Sequence, residues 1–533
     1  MSEWMRFLPA GSDAVLVEFP DLDRTLALFD ALQAVPPAGV REIIPAARTL
    51  LFRFDPHLTD RERLANAISS AKVSGGGTSQ GEVFDIPVTY DGEDLQEIAG
   101  IMGLPEAEVI RRHTEATYTV AFTGFAPGFA YMTCDDPAFD VPRRQSPRTR
   151  IPAGSVALAG RFGGIYPSES PGGWQLIGRT PLAMWDLNRP KAALLAPGDR
   201  VRFRDMARGA TVRVMERTAQ TPKPQADPDP GIQVIRADRP ALFQDLGREG
   251  RAGQGVSASG ALDRAGLVEA NLCLGNPRGA PVLEIAYGGF ALKAGCPVTL
   301  AVTGAPCPLT IVAADGKRLA APFARPFALD AGEMLTLDAP SAGTRSYLAL
   351  RGGFAVETVL GSASTDTLTK VGPPVIGAGD ILTTARAPVT AVDPFRPAPP
   401  DLPKAGDRVT LDVLPGPRAD WFTPEAITTL LSQDWQVTAE TSRVGARLAG
   451  AMPLERCDDT ELASEGTPLG AIQVPHSGQP VLFLADHPLT GGYPVIAVVA
   501  AHHLDLAGQI PIGAKIRFNA IAAFDPFTRE VSP

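Results

Sequence analysis

Between Gly470 and Pro494 the chain collects the residue types that carry polar chemistry. His476 follows a proline, Gly478-Gln479-Pro480 forms a turn signal, and Val481–Ala485 reads as a buried strand that ends on Asp486. Thr490-Gly491-Gly492-Tyr493 then gives a glycine turn with a hydroxyl and an aromatic ring. A strand that ends in an acid and runs into a glycine loop is how a rigid scaffold presents polar groups to a ligand. Asp486 and His476, one strand and two turns apart, can serve as an acid–base pair; a capped turn beside an exposed histidine is the plainer reading. The stretch Gly154–Gly178 has the same layout, with Ser170, Gly172, Gly173 and Trp174 at the matching places. Each stretch is followed by a turn and a terminal strand, APGDRVRF at 196–203 and IPIGAKIRF at 510–518. This reads as one structural unit used twice, whose two similar loops face one site. Tyr131, Trp174 and Tyr493 can line a flat pocket there, or pack in a core.

Two arginine groups suit a small anion. Arg148 and Arg150 precede a Pro-Ala-Gly turn, and a guanidinium fork matches carboxylate, bicarbonate or phosphate; either can equally sit in a structural ion pair. Gly247, Gly250, Gly253 and Gly255 carry Arg248 and Arg251 between them. Such a loop can hold a phosphate on its backbone N–H groups or be an ordinary surface loop. Glu284, after an apolar pair, is either a buried functional carboxylate or a strand-edge charge. GxxxxGK[ST], HExxH, GxSxG and kinase signatures are absent. The six histidines make no ligand pattern, so no metal site is expected. His502 and His503 are adjacent and on a regular element point to different places, which favours a surface reading.

These groups need many short elements to position them. Asp13–Phe19, a helix through Leu22, Leu26, Phe29 and Leu32, two strands at Val40–Ala46 and Arg48–Phe54, and a helix at Asp60–Lys72 form a small α+β unit. A strand at Asp85–Tyr90, helices at Asp94–Gly103 and Pro105–Glu115, and short strands to Phe203 follow; a further helix is expected at Arg264–Leu274. Turns of Gly plus acid before alternating strands recur at Gly198, Gly332, Gly379 and Gly406, which fits barrels or sandwiches rather than a parallel sheet. We expect a mainly β protein with an α+β N-terminal domain at 1–80, a β-barrel at 83–217, a linker at 218–230, a β lobe at 231–386, a proline-rich linker at 387–403 and a last β lobe at 404–533. The 533 residues exceed one core, and 53 glycines with 51 prolines agree with many tight turns. A net charge of −10 excludes general binding to nucleic acid or an anionic membrane. Five scattered cysteines without a CxxC read as reduced, and no apolar run spans a bilayer or makes a signal peptide; a cytoplasmic protein is expected.

Residue motifs extend this reading. VREIIPAARTLLFRF, FTGFAPGFAYM, SPRTRIPAGSVALAG and YPSESPGGWQLIGRTP make residues 1–217 resemble the B subunit of bacterial 5-oxoprolinase, also called allophanate hydrolase subunit 1. QDLGREGRAGQGVSASGALD, GSASTD, SRVGARL, SEG and the opening stretch make residues 231–533 resemble the C subunit of the same enzyme, the biotin-dependent carboxyltransferase-like family. The resemblance implies cyclophilin-like barrels, a site between the two halves, and a natural B–C fusion. The same pair of modules forms the carboxyltransferase part of urea carboxylase. Two loops depart from the family pattern: Gly160-Arg161-Phe162-Gly163-Gly164 replaces Gly-Pro-Gln-Thr-Gly, and Pro488-Leu489 precedes Thr490-Gly491-Gly492-Tyr493 where the family has Gln-Thr. An aromatic or proline thus replaces a polar side chain.

The resemblance implies a component of an ATP-dependent 5-oxoprolinase that converts 5-oxo-L-proline, ATP and water to L-glutamate, ADP and phosphate with a separate A subunit. ATP, with magnesium, is the expected cofactor, and no biotin is attached to this chain, which lacks a Met-Lys-Met. Under this reading Arg148, Arg248 and Arg251 neutralise phosphate or carboxylate, while Asp486 or Glu284 positions the attacking group. The alternatives are a biotin-dependent carboxyltransferase for urea or a related amide, and a regulator that binds a kinase. A homo-oligomer stays open.

Overall fold

The computed structural model describes residues 4–71, 81–144, 146, 148–208, 231–393, 400–458 and 460–530. The expected linker at 218–230, residues 74–80 of the Gly/Ser stretch and residues 394–399 of the second linker lie outside these. The protein is mainly β, as composition and turn spacing require.

The N-terminal domain is a five-stranded sheet in the order Val40–Pro45, Thr49–Phe54, Ala14–Glu18, Trp4–Pro9 and Phe527–Glu530. Helices Leu22–Ala34 and Arg61–Ser69 start on Asp21 and Asp60, whose carboxylates accept from Arg24 N and Arg63 N and satisfy first-turn donors. Their apolar faces, including Phe29, Leu32, Leu64 and Ile68, close over Phe7, Val15, Val17 and Phe52. The fifth strand comes from the far end of the sequence: Phe527 pairs with Phe7, and their rings stack 5.0 Å apart. The expected 404–533 lobe therefore does not stay in one body.

Residues from 83 to 208 form a seven-stranded sheet that opens with Val83–Val88 and ends with Arg200–Asp205 beside it, the two strands running parallel. A bridge between Thr89 and Arg179 joins the sheet's edges. The C-terminal lobe repeats the device. Its closed seven-stranded barrel opens with Arg408–Pro415, and Lys515–Ala520 returns parallel beside that strand. The turns before the returning strands place Gly198 and Gly513 at φ 88° and 86°, a left-handed conformation glycine adopts without strain. The two terminal strands read as one repeated unit thus do the same job twice. Between the barrels, six- and five-stranded sheets pack face to face over Val234, Leu292, Val302 and Leu348, and helix Arg264–Cys273 lies against the five-stranded one. Among the described residues, no helix is long and apolar enough to cross a membrane.

Candidate functional site

The strand Val481–Phe483 delivers Asp486 to the centre of a buried ionic network. Arg443 donates to it twice, Nε to Oδ2 at 2.9 Å and Nη2 to Oδ1 at 3.0 Å. Ser259 Oγ donates to Oδ1 at 2.6 Å, and Thr367 donates to Oδ2 through N and Oγ1 at 2.8 and 2.7 Å. Arg443 reaches on, with Nη1 to Glu284 Oε1 at 2.5 Å and Nη2 to the Gly260 carbonyl at 2.6 Å. Glu284 Oε2 accepts from Leu262 N at 3.0 Å and from the Tyr347 hydroxyl at 2.9 Å. Burial alone would raise the Asp486 carboxyl, but the charge and hydrogen bonds of Arg443 outweigh it and hold the group below its ordinary value. Burial opposes the Arg443 charge in the same way, and Asp486 and Glu284 more than restore it.

The expectation that Asp486 or Glu284 acts as a catalytic carboxylate meets a geometry in which both are engaged inside this network. Both are buried, and each of their oxygens already accepts at least one hydrogen bond. Together they tie six segments, at residues 259–262, Glu284, Tyr347, Thr367, Arg443 and Asp486. His476 is not their partner. It lies exposed on its turn, edge-on to Tyr493 at 5.5 Å, and shares no hydrogen bond with Asp486 among the described residues. Gln479 clamps a neighbouring loop by accepting from Gly450 N at 2.8 Å and donating to its carbonyl.

In the glycine-rich loop several backbone donors are already engaged. Gly247 N donates to Asp245, Arg248 N to Ala258 O, and Gln254 N and Val256 N to Arg251 O. Arg248 is itself buried: its Nη2 donates to Ser364 O, while Nε and Nη1 have no hydrogen-bond partner among the described residues. Burial pulls its pKa down, and Asp366, Asp245 and Asp486 pull it back up. Ser257 and Asp366 extend the same network at 2.7 Å. Half-buried Arg251 has its guanidinium near Gly361. The loop instead docks on the first barrel. Gly128 N donates to Gln254 O at 3.0 Å, Thr123 Oγ1 to Ala252 O at 3.3 Å, and a Cβ at Gly255 would sit 2.5 Å from Ala126 O. Of its glycines, Gly255 serves a close backbone approach between the halves.

A cavity of about 430 Å³ does open between the halves. Tyr131, Phe162, Arg143 and Arg161 line it from the first barrel, Arg48 from the N-terminal domain, and Glu461 and Ser464 from the last lobe. Tyr131 stacks on Phe122 at 4.4 Å and meets Phe162 and Trp174 edge-on at 5.6 and 5.5 Å. Burial raises the pKa of its hydroxyl, which reaches the side chains of Ser464 and Thr490. Thr490 Oγ1 accepts from Phe125 N at 3.1 Å, and Gly124 leaves no room for a Cβ against it. Arg143 pairs with Glu461 at 3.0 Å, whereas Arg161 is exposed.

The two matching loops therefore meet through Tyr131 and not directly. The Thr490 loop touches the first barrel at Gly124 and Phe125, Gly492 lies beside Leu462 and Arg143, and Gly491 packs on Gln473 of its own lobe. The other loop stays within its own barrel. Ser170 and Gly172 pair with Ile151 and Arg148, Gly172 fits under the Tyr166 hydroxyl, Gly173 O accepts from Arg144 N, and Trp174 is buried among rings. Arg148 is held by Asp94 at 2.8 Å and Glu93 at 3.0 Å, and exposed Arg150 pairs with Glu169 at 2.7 Å; these are ion pairs, not an open anion fork. Sequence reasoning does not reach Ser464, Arg143 or Arg161 as site residues, although SEG and the altered Arg161-Phe162 loop are the signals that point to two of them. His502 is exposed and His503 half-buried, and from a short 3-10 turn both rings turn to Asp412 rather than to different places. The His503 Nδ1 already accepts from Asp412 N at 2.9 Å.

Family models agree with this two-part architecture. "Carboxyltransferase domain, subdomain C and D" matches residues 5–195, and "Carboxyltransferase domain, subdomain A and B" matches residues 254–520. The C subunit of 5-oxoprolinase from Escherichia coli (strain K12) is 35% identical over 290 residues, which covers 54% of this chain and 90% of that protein. The B subunit of 5-oxoprolinase from Bacillus subtilis (strain 168) is 38% identical over 188 residues, covering 32% of this chain and 78% of that protein. The crystal structure of TTHA0988 superposes with a TM-score of 0.79 at 35% identity, over 95% of this chain and 99% of that one. The urea amidolyase of Saccharomyces cerevisiae is 30% identical over 306 residues but is covered over only 16% of its length. The chain belongs to the carboxyltransferase-domain family and joins counterparts of the B and C subunits of 5-oxoprolinase in one polypeptide.

Proposed function

We propose that this chain is the joined B and C component of an ATP-dependent 5-oxoprolinase that works with a separate A subunit. The reading is carried by the cavity between the two halves, whose lining comes from the B-like barrel and the C-like lobe together. 5-Oxoproline is a flat lactam with one carboxylate. Tyr131 and Phe162 supply flat apolar walls, Ser464 and the Tyr131 hydroxyl can hydrogen-bond the amide, and Arg161, Arg143 and Arg48 suit the carboxylate. A ring amide is stable, so ATP drives its opening. ATP would supply a phosphoryl group to the lactam oxygen, with ADP as the leaving group, and so open the amide carbon to water. One water cleaves the C–N bond and a second releases phosphate.

The glycine-rich loop does not fit a nucleotide in this conformation, so no step is assigned to Arg248, to Arg251 or to a magnesium ion. Asp486 and Glu284 act by fixing the lobe that carries Ser464 and Thr490. Dependence on ATP supports a cytoplasmic enzyme. The test is ADP and glutamate release by the purified chain with ATP and 5-oxoproline, with and without an A-type subunit. Joint release only when both proteins and 5-oxoproline are present supports the reading. Absence of both products with a competent A subunit refutes it and makes urea with a biotin carrier protein the next substrate pair.

A further inference from the structure

A second cavity, of about 250 Å³, lies where the N-terminal domain, the central lobe and the last barrel meet. Its volume falls under the roughly 300–1,000 Å³ typical of drug-sized ligands, so it suits a molecule of amino-acid size. Leu484, Val498, Val499 and Leu504 give it an apolar wall, and Arg264, Arg53, Arg41, Asp13 and Asp505 give it charge. Some of that charge is already engaged. Asp505 accepts from Arg264 N and Ala265 N at 2.8 and 3.2 Å, and Arg41 pairs with Asp55 at 2.8 Å.

The remaining groups are open. The guanidinium of Arg264 is half-buried and has no hydrogen-bond or ion-pair partner among the described residues. The Asp13 carboxylate is also half-buried and accepts no hydrogen bond among them. Arg53 is held only loosely, by Glu42 at 3.4 Å and Glu249 at 3.5 Å. A half-buried cation without a partner at contact distance is incompletely compensated for its lost solvation: burial pulls the Arg264 pKa below its ordinary value, and the more distant charges of Glu249, Asp505 and Asp13 restore only part of it. One cation and one anion that attract each other without direct contact, and one loosely held cation, around an apolar wall are the complement of a molecule with two carboxylates, one ammonium and a short methylene chain.

We infer that this cavity binds an acidic α-amino acid of glutamate size, with Arg264 on one carboxylate, Asp13 on the ammonium and Arg53 on the second carboxylate. The ligand class is read from the cavity's own charges and not from the reaction proposed above, of which glutamate is the product. Isothermal titration of the full chain, without ATP or an A subunit, tests it with L-glutamate, glutarate and L-leucine. L-Glutamate should bind saturably at one site, and glutarate and leucine at least about tenfold more weakly, each lacking one charged contact. Arg264→Gln should raise the glutamate Kd at least about tenfold, while Arg264→Lys, which keeps the charge and reports on folding, should retain binding. Asp13→Asn should weaken glutamate and leave glutarate unchanged. No saturable binding of glutamate, equal binding of glutarate by the unaltered chain, or an unchanged Kd in Arg264→Gln would overturn the inference. Since nothing turns over in this assay, its result is independent of whether ADP release is observed.

Discussion

Replacing Arg443 by methionine leaves the side-chain volume nearly filled and strips the network of its central charge. Asp486 is 0% and Glu284 3% exposed at the side chain, so neither can recover water. Removing one partner of a buried ion pair costs about 3–5 kcal/mol. We take the single-pair figure, because Glu284 keeps Leu262 N and Tyr347 and Asp486 keeps Ser259 and Thr367. For a lobe of roughly 150–250 residues each kcal/mol moves Tm by about 2–4 °C, which gives a drop of roughly 6–20 °C. Differential scanning calorimetry of the transition that contains the last barrel measures it. Adding Asp486→Asn to the same chain removes the stranded charge and should restore at least about 1 kcal/mol through their coupling.

The pH dependence fixes the sign. In the unaltered chain the Asp486 carboxyl is held below its ordinary value. Its contribution is therefore present above the unfolded value and is lost as pH falls through the folded one. Without Arg443 burial raises the carboxyl instead, so the variant loses stability as pH rises through its folded value. The gap between the two proteins should close as pH falls toward about 4. A drop under about 3 °C at neutral pH, or a gap that is flat with pH, refutes the account.

Arg418→Ala should loosen the N-terminal domain from the last barrel, since Arg418 is buried and bridges Glu465 to Glu18, the latter at 3.1 Å; faster limited proteolysis between the two bodies checks it. Arg148→Ala should destabilise the first barrel by about 1 kcal/mol, since buried Asp94 loses two donors but keeps Arg144 and Leu176 N, and its KM for 5-oxoproline should stay unchanged; a KM effect without a Tm effect would restore the anion-fork reading. Burial raises Asp263 to about 6 against its hydrogen bonds to Gln509 and Gly266. That part of the stability is full below the unfolded carboxylate value, about 4, and is lost as pH rises through about 6, so Asp263→Asn should flatten the Tm–pH curve in that window.

Much of the local structure is legible in the sequence. Asp21 and Asp60 before amphipathic stretches, and Gly-acid turns before alternating strands, carry their meaning within a few residues. What depends on distant pairing is not. Trp4–Pro9 has no alternation and ends on a proline, and it becomes a strand because it lies between Ala14–Glu18 and Phe527–Glu530. The site shows the same limit. Asp486 and Glu284 stand out by type and placement, and they do meet, but only through Arg443, whose motif gives no sign that its guanidinium is buried. Arg248 sits in a loop with the composition of a phosphate cradle, yet Gly247 N, Arg248 N, Gln254 N and Val256 N donate locally and Ala252 N donates to Glu42. Phe162 stands out because it replaces a polar residue, and it does line the cavity between the halves.

The strand Phe527–Glu530 makes the first sheet depend on residues synthesised after both barrels and the central lobe. Until they emerge, Trp4–Pro9 stands as an open edge, the kind of surface to which stray strands add. Loop-closure entropy over so long a separation makes this pairing a late event. Trp4 pairs with Glu530, so the two ends of the described fold lie side by side. A permuted chain that opens at residue 231 and joins these ends by a short linker would keep every sheet described above. It would also synthesise both partners of that pairing in succession, and should fold with less exposure to aggregation.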